Sequence, residues 1–410
     1  MMFQKFSFLQ NDLIKNILIV FSGNAIGLMI PFFGAFLIAR LYKPEDLGYF
    51  SFLMVVINII VLISDLKLGE RLIIEANQED KVKIFNESAL IIFILTLVTL
   101  PFLFFYFHEK LGFFIFLLPL VILVLSLSNL LVNYSISIKD FKVNSKSKVL
   151  MNALDFAFQV SFSNLKILGL LASKFAGSLV SLIFLFKGLK VRNILEWNFS
   201  FETLKKNKNY VLSYVPNIFV NHLSQNVISF SFPMSYGVTQ LGLYSFMSRV
   251  MFGPISVITN SLQQVFYKEL ADKIINNESV QGFFIKFYLT VILVMLLPLL
   301  LICVYSKDII LFLFGEAWVD AHIYIVAFAP FFIINSCNSS FSSVYVVKNR
   351  IMTMMRLEFC YLIAKGVIIF SLYWLGYNIE ALVNTLGILM FVTSILTASF
   401  YYRISSHPCR

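Results

Sequence analysis

The sequence predicts an all-α polytopic membrane protein in which about twelve transmembrane helices form two six-helix lobes around a central cavity. Three observations predict it: a high apolar content, scarce charge and apolar runs of bilayer length. The 410 residues are 59% hydrophobic and 13% charged, whereas soluble domains are about 45–50% apolar and about 25% charged. So few charges cannot cover a water-exposed surface, and soluble, disordered and fibrous proteins are therefore excluded.

Apolar runs bounded by charged or turn residues predict the helices in chain order, at about 20 residues per crossing. The first run is too long for the core of a signal peptide, so we interpret it as an uncleaved span. The turn at Ser161–Asn164 separates the fifth helix from the sixth. The twelve predicted helices lie near 14–39, 49–66, 87–107, 112–138, 148–163, 166–187, 209–231, 243–266, 280–305, 322–346, 356–376 and 379–402.

The basic residues predict the orientation of these helices. About three quarters of the 32 Lys and Arg residues fall in alternate loops, as expected because Lys and Arg accumulate in cytoplasmic loops. An even number of spans then places both termini in the cytoplasm. This topology accounts for the formal net charge of +10, so the charge does not indicate a nucleic-acid partner.

Motifs of enzymes and ATP-driven pumps are missing from the sequence. The longest predicted loop, Gly188 to Lys208, is too short for a catalytic domain. No Gly-Lys dipeptide and no Asp-x-Asp pair occur, which excludes a Walker A loop and a metal–nucleotide site of that type. The four cysteines are scattered, so neither a metal site nor a disulfide is expected. We expect a transporter that uses no cofactor and catalyses no reaction.

An internal repeat predicts the division into lobes. Residues 47–56 match residues 241–250 at five of ten positions, at an offset of 194. We expect an N-terminal lobe over 1–187, a basic cytoplasmic linker over 188–208 and a C-terminal lobe over 209–410. Transporters built from two such parallel repeats bind substrate between the repeats and alternate between inward-open and outward-open states.

Polar side chains form a stripe along the predicted seventh helix. Asn217, Asn221 and Gln225 recur every four residues, and His222 and Asn226 lie beside them. Amides facing lipid would be costly, so this amide stripe faces protein or water. We favour a solvated cavity over hydrogen bonds between helices.

Four ionisable residues stand out within the predicted spans, where each is expensive. The cations are Lys174, Arg249 and Lys365, and the anion is Asp155. The net positive interior indicates an anionic substrate, with structural pairing and snorkelling as the alternatives. Asp155 and Lys174 are about equally distant from the turn between their helices, so we expect them to pair, either as a structural contact or as a coupling element.

Two motifs carry a family resemblance. Residues 39–51, followed by Ser64–Gly69, resemble the opening of Wzx-type polysaccharide flippases, which share a superfamily with MATE transporters and lipid II flippases. That family shows A-R-x-L-G-P-E-x-x-G-x-Y-S and then D-L-G-L. This chain departs from the pattern at Leu41–Lys43 and at Lys67.

The resemblance implies a flippase of the bacterial inner membrane. Its substrate would be an undecaprenyl-diphosphate-linked oligosaccharide repeat unit of O-antigen or capsule, moved from the cytoplasmic to the periplasmic leaflet by alternating access. An ion gradient or the membrane potential would drive it. Membrane lipids, a polysaccharide polymerase and a chain-length regulator would be its partners.

The resemblance also suggests roles for the selected residues. Arg249, Lys174 and Lys365 would bind the diphosphate or acidic sugars, and the amide stripe would line the sugar path. The stretch Arg40–Phe50, with Pro44 and Gly48, would shape the outer gate. Pro31 removes a hydrogen bond and bends the first helix, which suits either simple packing or a gating helix.

Two other functions remain alternatives. A MATE-like antiporter of drugs or cations should have an acidic site, whereas the four residues singled out above are three cations and one acid. An O-antigen polymerase or ligase would be an enzyme with a large periplasmic loop, and the outward loops here are short.

Overall fold

A computed structural model describes residues 29–75, 77–191, 201–251, 255, 281–341 and 351–405. Throughout these ranges every regular element is a helix, which confirms the predicted all-α fold. Eight of the described helices are long and apolar enough to cross a membrane, and a shorter apolar helix covers Met29–Leu41. The protein is thus a multi-pass membrane protein.

A helix lies at each of the twelve predicted positions. Residues 1–28, 252–254, 256–280 and 342–350 lie outside the described residues, so the predictions there are followed only in part. The helices are α1 (Met29–Leu41), α2 (Pro44–Ile63), α3 (Leu68–Ile74), α4 (Gln78–Leu111), α5 (Leu117–Ser137), α6 (Phe141–Ser161), α7 (Ile167–Gly188), α8 (Glu202–Lys206), α9 (Lys208–Ser235), α10 (238–251), α11 (Gln281–Val304), α12 (Ser306–Phe314), α13 (Ala321–Phe341), α14 (Ile351–Trp374) and α15 (Ile379–Ser405).

Helix α4 begins nine residues before the predicted span. The Asn77 side chain accepts a hydrogen bond from the Glu79 backbone N–H at 3.1 Å and so caps the helix. Glu79 and Asp80 occupy its first turn, where acidic groups stabilise the positive end of the helix dipole. The prediction stopped at the edge of the apolar run, whereas the helix continues to its capping residue.

The chain divides into two compact units. One contains residues 1–34 and 53–219, and the other contains residues 35–52 and 220–410. The boundaries fall within α1, α2 and α9, so these helices contribute to both units. The predicted domain limits at 187 and 209 stay a prediction.

Apolar packing of α3, α4, α5 and α7 forms the core of the first unit. Leu72 and Ile92 are fully buried there, together with Leu130 and Leu185. Helices α6 and α7 form a close hairpin, because a Cβ at Gly177 would lie 2.9 Å from the backbone nitrogen of Asp155. This contact fixes how the polar residues of the hairpin face one another.

The predicted linker contains an anchored helix. Glu87 of α4 is 2% exposed, and its carboxylate accepts hydrogen bonds from the backbone N–H groups of Thr203 and Leu204 at 3.0 and 3.1 Å. These are free donors of the first turn of α8, which a carboxylate satisfies well. The end of the linker is therefore held against the first unit.

Aromatic side chains form the core of the second unit. Trp318 is fully buried, and its indole Nε1 donates to the Ala39 carbonyl oxygen at 2.7 Å. The Phe246 ring packs on Trp318 with the ring centroids 4.3 Å apart, and the buried Tyr324 and Phe328 of α13 stack on one another at 6.5 Å. A Cβ at Gly387 would lie 2.3 Å from the Ala327 carbonyl oxygen, so α13 and α15 approach closely there.

Candidate functional site

The amide stripe lies on α9, where the sequence predicts it. Asn217 and Asn221 are half-buried and Gln225 is exposed. Gln225 Nε2 donates to Asn221 Oδ1 at 2.8 Å, and Asn226 Nδ2 donates to the His222 carbonyl oxygen at 2.9 Å. Both bonds run between residues of α9. The solvated cavity along the stripe stays a prediction.

Lys365 lies against the side of α9 next to this stripe. It is 8% exposed, and its Nζ donates to the main-chain carbonyl oxygen of Ser224 at 3.1 Å. The Ser224 hydroxyl in turn donates to Glu358 Oε2 at 2.8 Å. Lys365 is therefore engaged in a polar network, and a role in substrate binding would require it to leave that network.

Asp155 and Lys174 form the ion pair expected from their positions. Lys174 Nζ lies 3.4 Å from Asp155 Oδ2, and both side chains are largely buried, at 17% and 14% exposure. Gln159 Nε2 donates to the other carboxylate oxygen at 3.0 Å. The pairing is confirmed, while its part in coupling stays a prediction.

Arg249 lies half-buried on α10, two residues before the buried Met251. It belongs to the second unit, as does Lys365, whereas Lys174 belongs to the first. The structure thus brings Lys174 to Asp155 and Lys365 to the amide stripe, and places Arg249 on a separate helix. The joint action of the three cations on one anion stays a prediction.

The two copies of the sequence repeat contact each other. A Cβ at Gly48 would lie 2.0 Å from the Val238 carbonyl oxygen, and a Cβ at Gly242 would lie 1.8 Å from the Pro44 carbonyl oxygen. Each glycine therefore meets the residue four positions before the other glycine, and both pairs follow the offset of 194. Only glycine fits at either place. We call this arrangement the paired-glycine contact.

Of the other predicted gate residues, Pro44 takes part in this contact through its carbonyl oxygen, and Arg40 and Pro31 lie on α1. Pro44 is buried in the first turn of α2, whereas Arg40 is exposed near the end of α1. Pro31 is half-buried near the first described residue of α1. The predicted gate therefore centres on Pro44 and Gly48, and a gating role for each of the four residues stays a prediction.

The second family motif forms the turn after α2. Asp65 accepts hydrogen bonds from the backbone N–H groups of Lys67 and Gly69 at 2.9 and 3.0 Å. A Cβ at Gly69 would lie 2.5 Å from Asp65 Oδ2, so glycine is needed there. Burial raises the pKa of the Asp65 carboxyl, although the two hydrogen bonds and the charge of Lys67 act in the opposite direction. The motif is thus a structural turn.

A groove of about 450 Å³ lies at one end of the second unit. Its walls come from the start of α11, from Ile334 of α13 and from the second half of α15, with Phe284, Tyr288, Tyr402 and Arg403 among the lining residues. Aromatic rings and a cation at helix ends are typical of the membrane interface. The groove contains none of the predicted site residues.

Sequence reasoning missed Glu358 and Ser224. Glu358 is an acid inside the predicted span 356–376 and precedes Lys365 by seven residues, so a search for opposite charges on one helix face would have found it. Ser224 carried no signal, because serine is common in transmembrane helices. No cluster of three potential metal ligands occurs among the described residues.

Comparisons with known proteins identify relatives in sequence and in fold. Residues 37–323 match a family described as "Polysaccharide biosynthesis protein", and no curated protein matches the chain significantly. The lipid II flippase MurJ in an inward closed conformation shares the fold with a TM-score of 0.74 and 14% identity, over 94% of this chain and 90% of that chain.

Two further solved structures share the fold. A MOP superfamily transporter from Pyrococcus furiosus, whose binding pocket is described as having reverse polarity, has a TM-score of 0.67 and 14% identity, over 95% and 96% of the two chains. An inward-facing multidrug resistance MATE transporter has a TM-score of 0.64 and 15% identity, over 94% of each chain. At these identities the likeness establishes the fold.

Proposed function

The chain belongs to the polysaccharide biosynthesis protein family, and on this premise we propose that it is a flippase for undecaprenyl-diphosphate-linked oligosaccharide repeat units. It moves them from the cytoplasmic to the periplasmic leaflet of the bacterial inner membrane by alternating access. Both termini lie in the cytoplasm. The polysaccharide formed is O-antigen or capsule, so a polymerase and a chain-length regulator act on the product.

The amide stripe is the single observation that supports this proposal most directly. A sugar head group cannot enter hydrocarbon, so its path needs hydrogen-bonding groups inside the bilayer. Asn221 and Gln225 offer amide donors and acceptors, and Gln225 is exposed. Amides bind hydroxyl groups without discriminating strongly among sugars, which suits a translocation path.

The cations supply the charge that a diphosphate needs. Arg249 is half-buried on α10, and Arg binds phosphate oxygens in a bidentate manner. We assign the diphosphate first to Arg249; Lys174 and Lys365 join it only when they leave Asp155 and the Ser224–Glu358 network. Transport is driven by an ion gradient or the membrane potential, and Asp155 with Lys174 is the proposed coupling pair.

Deletion in the native host followed by lipid extraction tests the proposal. We expect lipid-linked repeat units to accumulate on the cytoplasmic face and surface polysaccharide to disappear. Unchanged surface polysaccharide together with increased drug sensitivity would favour a MATE-like exporter instead.

Complementation of that deletion tests the site. Arg249→Ala should fail to restore surface polysaccharide, and the matched control Arg249→Lys, which keeps the positive charge, should restore it in part. Full restoration by a normally inserted Arg249→Ala protein would remove this residue from the substrate path.

A further inference from the structure

Two charged residues of α14 hold one serine of α9. Ser224 is fully buried, its hydroxyl donates to Glu358 Oε2 at 2.8 Å, and its main-chain carbonyl oxygen accepts from Lys365 Nζ at 3.1 Å. A carboxylate and an ammonium therefore meet the same point of α9. That point directly precedes Gln225 of the amide stripe.

The spacing on α14 explains how both groups reach Ser224. Glu358 and Lys365 are seven residues apart, so they share one face of the helix, about 10 Å apart along its axis. Side chains on a helix lean towards its N-terminus, so the Lys365 arm points back towards Glu358. The two side chains carry opposite formal charges. Together they leave this part of the second unit neutral.

The Lys365 ammonium donates to the Ser224 carbonyl oxygen, and the Glu358 carboxylate accepts from the hydroxyl of the same serine, so all three oxygens meet at one residue of α9. Carbonyl, hydroxyl and carboxylate oxygens are the ligands of hard cations, and main-chain carbonyls inside transporters coordinate Na⁺. In this protein the cation is the ammonium group of Lys365. A buried carboxylate without a compensating charge would be costly in the bilayer, and Lys365 removes that cost.

We propose that Lys365 is a tethered cation, which neutralises Glu358 and fills the position between α9 and α14 that a bound sodium ion would otherwise take. If the chain is the flippase proposed above, transport does not draw on sodium binding at this position. The assignment of Lys365 itself rests on the geometry and does not depend on the substrate.

Thermal unfolding of the purified full-length protein in detergent tests the proposal. In Lys365→Ala the Ser224 carbonyl and the Glu358 carboxylate lose their cation, so Na⁺ should bind there. We expect its Tm to rise with the logarithm of NaCl concentration and to stay unchanged in choline chloride of equal ionic strength. The wild-type Tm should be the same in both salts.

Two variants complete the sodium test. Lys365→Ala combined with Glu358→Gln should lose the sodium response, because the carboxylate is gone. Ser224→Ala keeps the main-chain carbonyl for Lys365, so it should be as indifferent to sodium as the wild type. Equal Tm values of Lys365→Ala in the two salts would overturn the proposal, and so would a sodium response of the wild type that Glu358→Gln abolishes.

A double-mutant cycle keeps the proposal testable if Lys365→Ala does not fold. Lys365→Met and Glu358→Gln should each lower the Tm, and the double variant should lose less than the two losses added together, since neither charge is then left alone. Additive losses would contradict the tethered cation. Neither experiment uses a lipid-linked sugar, so a failure here leaves the flippase proposal standing, and a failed complementation leaves the tethered cation standing.

Discussion

Lys67 holds a backbone conformation that L-amino acids rarely adopt. Its φ is 62° and its ψ is 15°, in the left-handed region, where a side chain costs about 1–2 kcal/mol relative to glycine. The related flippase motif has glycine at this place. Lys67 therefore departs from the motif in sequence but keeps the left-handed backbone conformation, at an energetic cost.

Replacing Lys67 by glycine should stabilise the protein. We expect Lys67→Gly to raise the free energy of unfolding by about 0.5–1 kcal/mol, because relief of the left-handed conformation outweighs the half-buried ion pair with Glu70 on the same turn. Chemical denaturation in detergent measures the change. Lys67→Ala is the matched control, since it removes the ion pair and keeps the strain, and it should lower stability slightly. A lower stability of Lys67→Gly would contradict the interpretation.

The pair Asp155–Lys174 allows a structural role to be separated from a coupling role. Asp155→Asn should lower the free energy of unfolding by about 2 kcal/mol, because it leaves a largely buried ammonium without its partner. The double variant Asp155→Asn with Lys174→Met should recover most of that loss. Thermal unfolding gives the stability, and surface polysaccharide gives the activity.

A coupling role requires the double variant to be stable and inactive. Wild-type levels of surface polysaccharide from the double variant would show that the pair is only a structural contact.

The relative positions of two residues were predictable from the sequence where both lie on one helix or in one hairpin. Asn221 and Gln225 share a face because of the helical period, and Asp155 meets Lys174 because their distances from one turn are equal. Ser224 and Glu358 could not be paired in advance, since their contact joins helices whose relative rotation no local pattern specifies.

At the scale of elements, the paired-glycine contact is the closest approach between the repeated segments. Gly48→Ala should lower the free energy of unfolding by about 1–3 kcal/mol, because a methyl group would overlap the Val238 carbonyl. Gly242→Ala should have the same effect against the Pro44 carbonyl. Gly366→Ala is the matched control, since open space surrounds that position, and it should be neutral or stabilising by up to about 1 kcal/mol.

The same variants test whether the contact is a gate. In a background without native cysteines, a cysteine at Ser245 should react faster with a membrane-impermeant maleimide when Gly48→Ala or Gly242→Ala is present, because the segments are forced apart. Gly366→Ala is the reference for the labelling rate. If Gly48→Ala and Gly242→Ala are both labelled at the same rate as this reference, a gating role is excluded.

Element positions were predictable because a bilayer demands apolar runs of fixed length. The ends of the helices were less predictable. The start of α4, for example, depends on the Asn77 cap rather than on hydropathy. Short elements such as α8 and α12 were missed, because five to nine residues carry too little periodicity to separate a helix from a loop.

At the scale of the whole molecule, the distribution of basic residues predicts the orientation. An alkaline phosphatase fusion after Lys307 should be active, because this residue lies in a predicted periplasmic loop, and a fusion after Lys205 should be inactive. A fusion to green fluorescent protein at each site is the control, since it fluoresces only in the cytoplasm. Activity after Lys205 would overturn the topology.

The paired-glycine contact also bears on the origin of the chain. The two segments contact each other in equivalent ways, because each glycine packs against a carbonyl oxygen of the other segment. This is the geometry of an isologous dimer interface, here within one polypeptide. A true dimer must carry every mutation on both sides, whereas a fused pair can change each copy alone. Phe50 and Tyr244 occupy equivalent positions of the repeat and differ, whereas the glycines at 48 and 242 are the same. Within one polypeptide, a twofold contact can thus become unequal on its two sides while both glycines stay in place.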